Sequence, residues 1–299
     1  MSAAVSRGAR RVVSLVPSLT EAVAVTAPGL LVGATDWCTH PADLDVVRVG
    51  GTKNPDVPAI AALRPDLVIA NEEENRAPDL AALRAAGIDV LVTEIRTLDQ
   101  AFVELDRVLR ACGVATRPRW LDEAEAAWAA VGAHVPPVDP VDLSAEDPLD
   151  LPAGDPAGTA APAVGAAEPA TAAAAAAAEG REATVGPAPA AVVPIWRRPW
   201  MVLGRDTFAG DLLARLGIRQ LYADHAERYP RVPLDELCAA GADLVVLPDE
   251  PYRFTPDDGP EAFPAIPAAL VSGRHLTWYG PSLAEAPAVL GRALRAARR

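Results

Sequence analysis

The stretch that most constrains this chain is Val49 to Arg76, VGGTKNPDVPAIAALRPDLVIANEEENR, which reads as loop, helix, strand and loop in close succession. Gly50-Gly51 opens backbone angles closed to other residues, Pro55 and Pro58 stiffen the approach, and Ile60 and Leu63 give a short helix one apolar face. Pro65 lacks an amide donor and disfavours helix at Arg64, so the helix stops there. Leu67 to Ala70 is then a short apolar run bounded by polar residues, the pattern of a strand buried on both faces in a parallel sheet. Its carboxyl end releases Asn71-Glu72-Glu73-Glu74-Asn75-Arg76, and ligands of open α/β sheets bind outside such ends. This loop is therefore expected to form a binding lip.

The same alternation runs along both ends of the chain. Arg11 to Val16 is expected as a strand, with Ser18 and Glu21 at capping-box spacing before a helix. Leu30 to Ala34 is the next strand and delivers the loop Thr35-Asp36-Trp37-Cys38-Thr39-His40-Pro41 to the same rim. Helices follow at 77–86, closed by Gly87, and at 98–112, where apolar residues fall at helical spacing, with a strand at 88–92 between them. Trp120 to Val131 is a further helix. In the last third, strands are expected at 191–195, 244–247 and 270–271. Helices are expected at 207–216 with Asp206 as cap, at 234–240 and at 283–297.

Between these ends the composition breaks. His134 to Ala190 holds nine acids against one base, eight of the thirteen net negative charges, together with ten of the 30 prolines and no Phe, Trp or Tyr. Such a segment buries too little apolar surface to offset its ordering entropy, so it is read as a disordered acidic Ala/Pro insert.

Three passages carry a family resemblance: LRPDLVIA with the preceding GGTKNPDVPAIAA, Val12-Val13-Ser14-Leu15-Val16-Pro17-Ser18-Leu19-Thr20-Glu21 near the start, and Gly241-Ala242-Asp243-Leu244-Val245-Val246-Leu247. They resemble the helical-backbone (class III) solute-binding proteins, the group with the vitamin-B12-binding protein and the iron-siderophore and haem receptors of ABC importers. The resemblance covers about residues 11–133 and 191–299. It implies an α/β fold of two Rossmann-like lobes joined by a long inter-lobe helix. The domains are then an N-terminal lobe at 1–114, the helix at 115–133, the disordered insert at 134–190 and a C-terminal lobe at 191–299. It implies a binding protein for a large metal chelate or tetrapyrrole, with cobalamin or another corrinoid favoured over a ferric siderophore or haem, and no chemistry. It also implies one acidic residue per lobe for docking to an ABC permease. An ungapped match puts these at Pro58, which has no carboxylate, and at Asp235, with Asp56 close by.

Charge and cysteine content narrow the partners. A net charge of −13 argues against nucleic acid and anionic membranes, and no stretch reaches the roughly 18 apolar residues that span a bilayer. Cys38, Cys112 and Cys238 are widely spaced and odd in number, so no disulfide framework is implied. The apolar run after Arg7, Arg10 and Arg11 is interrupted by Pro17, Ser18, Thr20 and Glu21, unlike a signal peptide. These features lead to the expectation of a cytoplasmic monomer. A permease partner remains open, and the other reading is an intracellular interaction or cofactor-handling protein that kept the scaffold without the ligand.

Seven of the 14 aromatic residues, Trp37, Trp200, Tyr229, Tyr252, Phe254, Trp278 and Tyr279, fall in or near loops, and rings with a polar tip suit a large flat ligand. The expected ligand-binding set is Asp36, Trp37, Thr52, Lys53, Glu72, Asn75, Tyr229, Arg231, Glu250, Tyr252, Trp278 and Tyr279. Asp36, Cys38 and His40 alternate along one segment, but without CxxC or HExxH spacing no metal site is assigned. Glu72, Glu73 and Glu74 read as a solvated lip. No GxSxG, P-loop or HExxH is present, so no catalytic residue and no required cofactor is expected.

Overall fold

A computed structural model describes residues 8–132 and 188–298. The acidic insert lies almost wholly outside the described residues, and the expectation of disorder falls there. In the first lobe the strands are β1 (Val12–Ser14), β2 (Leu31–Ala34), β3 (Val47–Arg48), β4 (Gly50–Gly51), β5 (Asn54–Pro55), β6 (Leu67–Asn71) and β7 (Val90–Thr93). Its helices are α1 (Pro17–Thr26), α2 (Val57–Ala62), α3 (Ala77–Ala85) and α4 (Leu98–Ala111), and α5 (Arg119–Gly132) follows. The second lobe holds β8 (Ala190–Val192), β9 (Pro194–Trp196), β10 (Met201–Val202), α6 (Phe208–Arg215), β11 (Arg219–Gln220), α7 (Leu234–Ala239), β12 (Leu244–Pro248), β13 (Ala268–Val271), α8 (Gly273–Thr277) and α9 (Ala286–Ala297).

Each lobe is built on a parallel sheet, ordered β3-β2-β1-β6-β7 in the first and β11-β8-β12-β13 in the second. The two orders superpose when β1 is matched to β8 and β6 to β12, so the chain repeats one topology twice. Alternate residues of these strands enter different cores, as the pleat requires. In the first lobe Val12, Leu67 and Ile69 enter a large core that continues into the second lobe, whereas Val13, Val68 and Ala70 enter an outer core with Ile60, Leu80 and Leu83. In the second lobe Ala191, Leu244 and Val246 join the same large core, and Val192, Val245 and Leu247 pack outward on Leu237, Phe254 and Phe263.

The shared core is what fixes the lobes together. Leu19 and Val23 of α1, Leu98 and Leu105 of α4, Leu212 of α6, Leu276 of α8 and Leu290 of α9 all belong to it. The middle layer of helices thus serves both sheets at once, and strands covered on both faces need continuous apolar runs, the pattern read at Leu67 to Ala70. Helix α5 adds Trp128, whose Nε1 donates to the Leu283 carbonyl at 3.1 Å.

Several local expectations are corrected. Helix α1 begins on Pro17, whose fixed φ and missing donor suit a first position, and no side chain caps it; Ser18 lies inside the helix and Glu21 turns to the other lobe. The cap of α6 is Thr207, whose hydroxyl accepts from the Gly210 amide, while Asp206 sits at φ 51° outside the helix. The single strand expected at 191–195 divides between β8 in the parallel sheet and β9 in a hairpin with β10. The loop at 274–280 contains the short helix α8, and the last helix begins at Ala286 after a 3₁₀ turn over Pro281–Ala284. Gly87 closes α3 at φ 79°, as its position required.

Candidate functional site

Parallel strands aim all their carboxyl ends one way, so each sheet offers one rim of loops. The rim of the first lobe carries 35–46 after β2 and 72–76 after β6; that of the second carries 221–233 after β11 and 249–267 after β12. Side-chain contacts show that the rims meet. From the first lobe, Glu73 reaches across so that Arg228 Nη2 donates to its Oε2 at 3.0 Å and the Tyr229 hydroxyl donates to its Oε1. Arg228 is held from behind, its Nε donating to the Asp206 carbonyl at 3.0 Å, and its guanidinium lies 5.8 Å from the centre of the Tyr229 ring.

The loop presenting Glu73 is anchored at both ends. Asn71 is buried, donates to the Thr93 carbonyl and hydroxyl at 3.1 Å, and accepts from the Glu73 amide at 2.9 Å. Asn75 is also buried and donates to the carbonyls of Leu15 at 3.2 Å and Thr52 at 2.9 Å. Lys53, in the turn between β4 and β5, donates to the Glu73 carbonyl. Burial pushes the Glu73 carboxyl above its usual range, with Arg228 and Lys53 pulling it back, and burial raises Glu74 as well. Glu72 is exposed and pairs with Arg96 at 3.0 Å.

A second crossing lies at the loop after β2. The His40 ring meets Trp278 edge to face at 5.3 Å, and Trp278 Nε1 donates to Glu250 Oε2 at 2.8 Å. Burial raises the Glu250 carboxyl, opposed by the Trp278 bond and by His40 and Arg274. Arg274 in turn binds Glu21 of α1 through both nitrogens of its fork, Nε at 3.3 Å from Oε2. The α4 end is tied too: the Leu98 amide donates to Asp211 at 2.8 Å and Arg215 pairs with Asp99 at 2.9 Å.

The residues expected at the site are distributed unevenly over this frame. Lys53, Tyr229, Glu250 and Trp278 take part in the crossings. Trp37 is 65% exposed, its indole beside Gly51, and Asp36 is exposed next to it. Thr52 and Asn75 bond to each other and shape the first rim. Tyr279 is buried on Phe208 with ring centres 5.6 Å apart, and burial together with Glu74 and Glu73 raises its hydroxyl well above its usual range. Tyr252 directs its hydroxyl to Asp258 at 2.6 Å and its ring to Trp196 and Phe254, within the second lobe. Arg231 is exposed at a backbone bridge with Met201. Cys38 is buried against the hydroxyls of Thr20 at 3.0 Å and Thr35 at 3.1 Å, so it does not share a face with Asp36. Among the described residues no three His, Cys, Asp or Glu side chains are placed to hold a metal ion.

Residues at the crossings that escaped the sequence reading include Glu73, whose charge run suggested a solvated lip, Glu21, read as part of a capping box, and Arg228, His40 and Arg274. An acid in a run and an isolated arginine carry no local sign of a partner far away in the chain. The one available signal was position, since Glu73, Arg228 and His40 lie in loops that follow strands.

No family model matches the chain. The vitamin B12-binding protein of Vibrio cholerae serotype O1 is 33% identical over 94 residues, 31% of this chain and 34% of that protein. An uncharacterized ABC transporter substrate-binding lipoprotein of Bacillus subtilis is 32% identical over 108 residues, 35% of this chain and 34% of that protein. The match thus spans about a third of the length of these curated relatives. Among solved structures, the periplasmic heme-binding protein RhuT of Roseiflexus sp. RS-1 has a TM-score of 0.67 at 19% identity, covering 98% of this chain and 100% of its own. The resemblance read from LRPDLVIA is therefore borne out, and the two-lobed α/β fold is that of periplasmic binding proteins. These relatives are binding proteins, in line with a reading without catalysis. The expectation of a cytoplasmic protein is overturned, because the similar proteins include a periplasmic heme-binding protein and a substrate-binding lipoprotein of an ABC transporter. The polar residues that interrupt the apolar run, Ser18, Thr20 and Glu21, are buried in α1, so the run reports on the core and was a weak guide to compartment.

Proposed function

We propose that this chain is the extracytoplasmic substrate-binding component of an ABC importer and holds a large metal chelate or tetrapyrrole between its lobes, a corrinoid ahead of a ferric siderophore or haem. The observation that carries the reading is the meeting of the two strand-end rims over a core common to both lobes. A cleft walled in this way keeps its shape without a partner chain, as pockets for bulky ligands generally do.

The charges in the cleft favour a ligand with few carboxylates. Arg228 is engaged by Glu73, Arg274 by Glu21 and Arg96 by Glu72 and Glu94, so these three arginines already have their acids. A corrinoid edge, rich in amides, meets such neutralised pairs with both donors and acceptors, whereas a polyanionic chelate needs cations to spare. Trp37, exposed on the first rim, supplies a face for a flat ring system.

Docking to a permease is assigned to the matching short helices α2 and α7. Pro58 and Asp235 are each the second residue of their helix, and Asp56, the N-cap of α2, whose carboxylate accepts from the Ala59 amide at 2.9 Å, supplies the first-lobe charge from two positions before Pro58. The function is tested by titrating the purified protein with cyanocobalamin, haemin and a ferric hydroxamate, following absorbance and tryptophan emission. Saturable one-to-one binding of cyanocobalamin tighter than the other two is expected. Preference for the ferric hydroxamate would overturn the corrinoid assignment, and binding of none would overturn the solute-binding reading.

A further inference from the structure

The contact between Glu73 and the second lobe has the form of a bound ligand. Two donors on consecutive residues, the Arg228 guanidinium and the Tyr229 hydroxyl, converge on one carboxylate and take one oxygen each. The arginine is fixed before any ligand arrives, because its Nε is committed to the Asp206 carbonyl. This is the arrangement by which a planar fork recognises a carboxylate or phosphate. The carboxylate that fills it, however, comes from the chain itself, on a loop of the opposite lobe whose backbone is held independently at Asn71 and Asn75. Rotation about the Glu73 side-chain bonds therefore vacates the donors without unfolding the loop.

We propose that Arg228 and Tyr229 form an oxyanion-binding subsite in the cleft, that Glu73 occupies it as an internal stand-in when the cleft is empty, and that a carboxylate or phosphate group of the ligand displaces Glu73 on binding. The ligand part of this inference rests on the solute-binding reading above; the existence of the subsite does not. Charged and titratable neighbours are Glu72 and Glu74 on the same loop, Lys53 on the β4–β5 turn, Arg96 before α4, Tyr279 beneath, and Arg228 and Tyr229 opposite. Burial raises the Glu73 carboxyl despite these cations, so its charged form is held at a cost that eases its replacement. The exchange conserves charge, since one anion leaves the donors as another arrives.

The test begins without the physiological ligand. In Glu73→Ala the donors are vacant, and sodium acetate or inorganic phosphate, at constant ionic strength, should raise the thermal midpoint in proportion to the logarithm of anion concentration above the dissociation constant, by about 3 °C at tenfold above it. Wild type and the double variant E73A/R228A should show no such rise. Should Glu73→Ala fail to fold, Glu73→Gln serves, its amide being a weaker occupant of the same donors. Equal responses of all three proteins would overturn the subsite. The ligand part is then read from two pairs of probes, cyanocobalamin against dicyanocobinamide, which lacks the phosphodiester, and haemin against its dimethyl ester. E73A should bind the anionic member of a pair about fivefold tighter than wild type does and leave the other unchanged. Weaker binding of the anionic member by E73A would show that Glu73 itself contacts ligand and would overturn displacement. Binding of none of the four probes would refute the solute-binding reading and with it displacement, while the acetate result would still decide the subsite.

Discussion

Glu21→Gln tests whether the two lobes are clamped by the ion pair that the tertiary structure shows or whether Glu21 serves only its own helix. The Glu21 side chain is 7% exposed and that of Arg274 is 21% exposed, so the pair sits largely out of water. Two unit charges about 4 Å apart attract by about 4 kcal/mol at an effective dielectric of about 20. Desolvating the carboxylate offsets roughly half of that, which leaves a coupling of about 2 kcal/mol. Arg274 also keeps Glu285 at 3.9 Å and the Trp278 ring at 6.0 Å, so Glu21→Gln does not strand a bare cation and should cost about 2 kcal/mol. Arg274→Met strands the buried carboxylate and should cost about 3 kcal/mol. Urea unfolding of wild type, both single variants and the double variant gives the coupling directly. The shared core predicts one transition for both lobes rather than two. If Glu21 were a capping-box residue, Gln would replace it without loss, since both reach the same amide. A coupling below about 0.5 kcal/mol, with Arg274→Met neutral, would refute the clamp.

Other outcomes follow from the same geometry. Gly204→Ala places a Cβ 2.1 Å from the Glu227 carbonyl and 3.1 Å from that of Arg228, so the loop bearing Arg228 and Tyr229 must move; a loss of about 2 kcal/mol in urea, with weaker cyanocobalamin binding, is expected. Trp128→Phe removes the bond to the Leu283 carbonyl in the shared core and should lower stability by about 1–2 kcal/mol by the same assay. Glu73, Glu74 and Glu250 are raised above 4.5, so the folded state holds their protons more tightly than the unfolded chain does. Their contribution to stability is therefore present in full below 4.5 and lost as pH rises through the raised values. Thermal midpoints should rise as pH is lowered from 7.5 to 5, and the rise should shrink in E73Q/E74Q. Asp258, held low first by the Tyr252 hydroxyl, works in the opposite direction only below 3.8. Reversing the charge of Asp56 and Asp235 together should abolish copurification with a co-encoded permease while leaving ligand binding intact, measured by pull-down and titration.

The sequence by itself determined the scaffold. Leu67 to Ala70 and Leu244 to Leu247 had to be buried on both faces because they offer no polar face. Pro65 had to end α2, and the polar residues after each run had to form the rim. Those decisions are local: they depend on the period of a strand, the missing proton of a proline and the freedom of a glycine, all of which a few neighbouring residues express. Even there, short-range patterns misled at Ser18 and Asp206, where Pro17 and Thr207 set the helix starts instead. Only the tertiary structure decided which charges meet. Glu73 finds Arg228 across 155 residues and Glu21 finds Arg274 across 253, and nothing near either acid distinguishes it from a solvated one. The partner is chosen by the shared core, which brings the two rims to hydrogen-bonding distance, and a contact set by the packing of distant helices leaves no periodicity in the residues that make it.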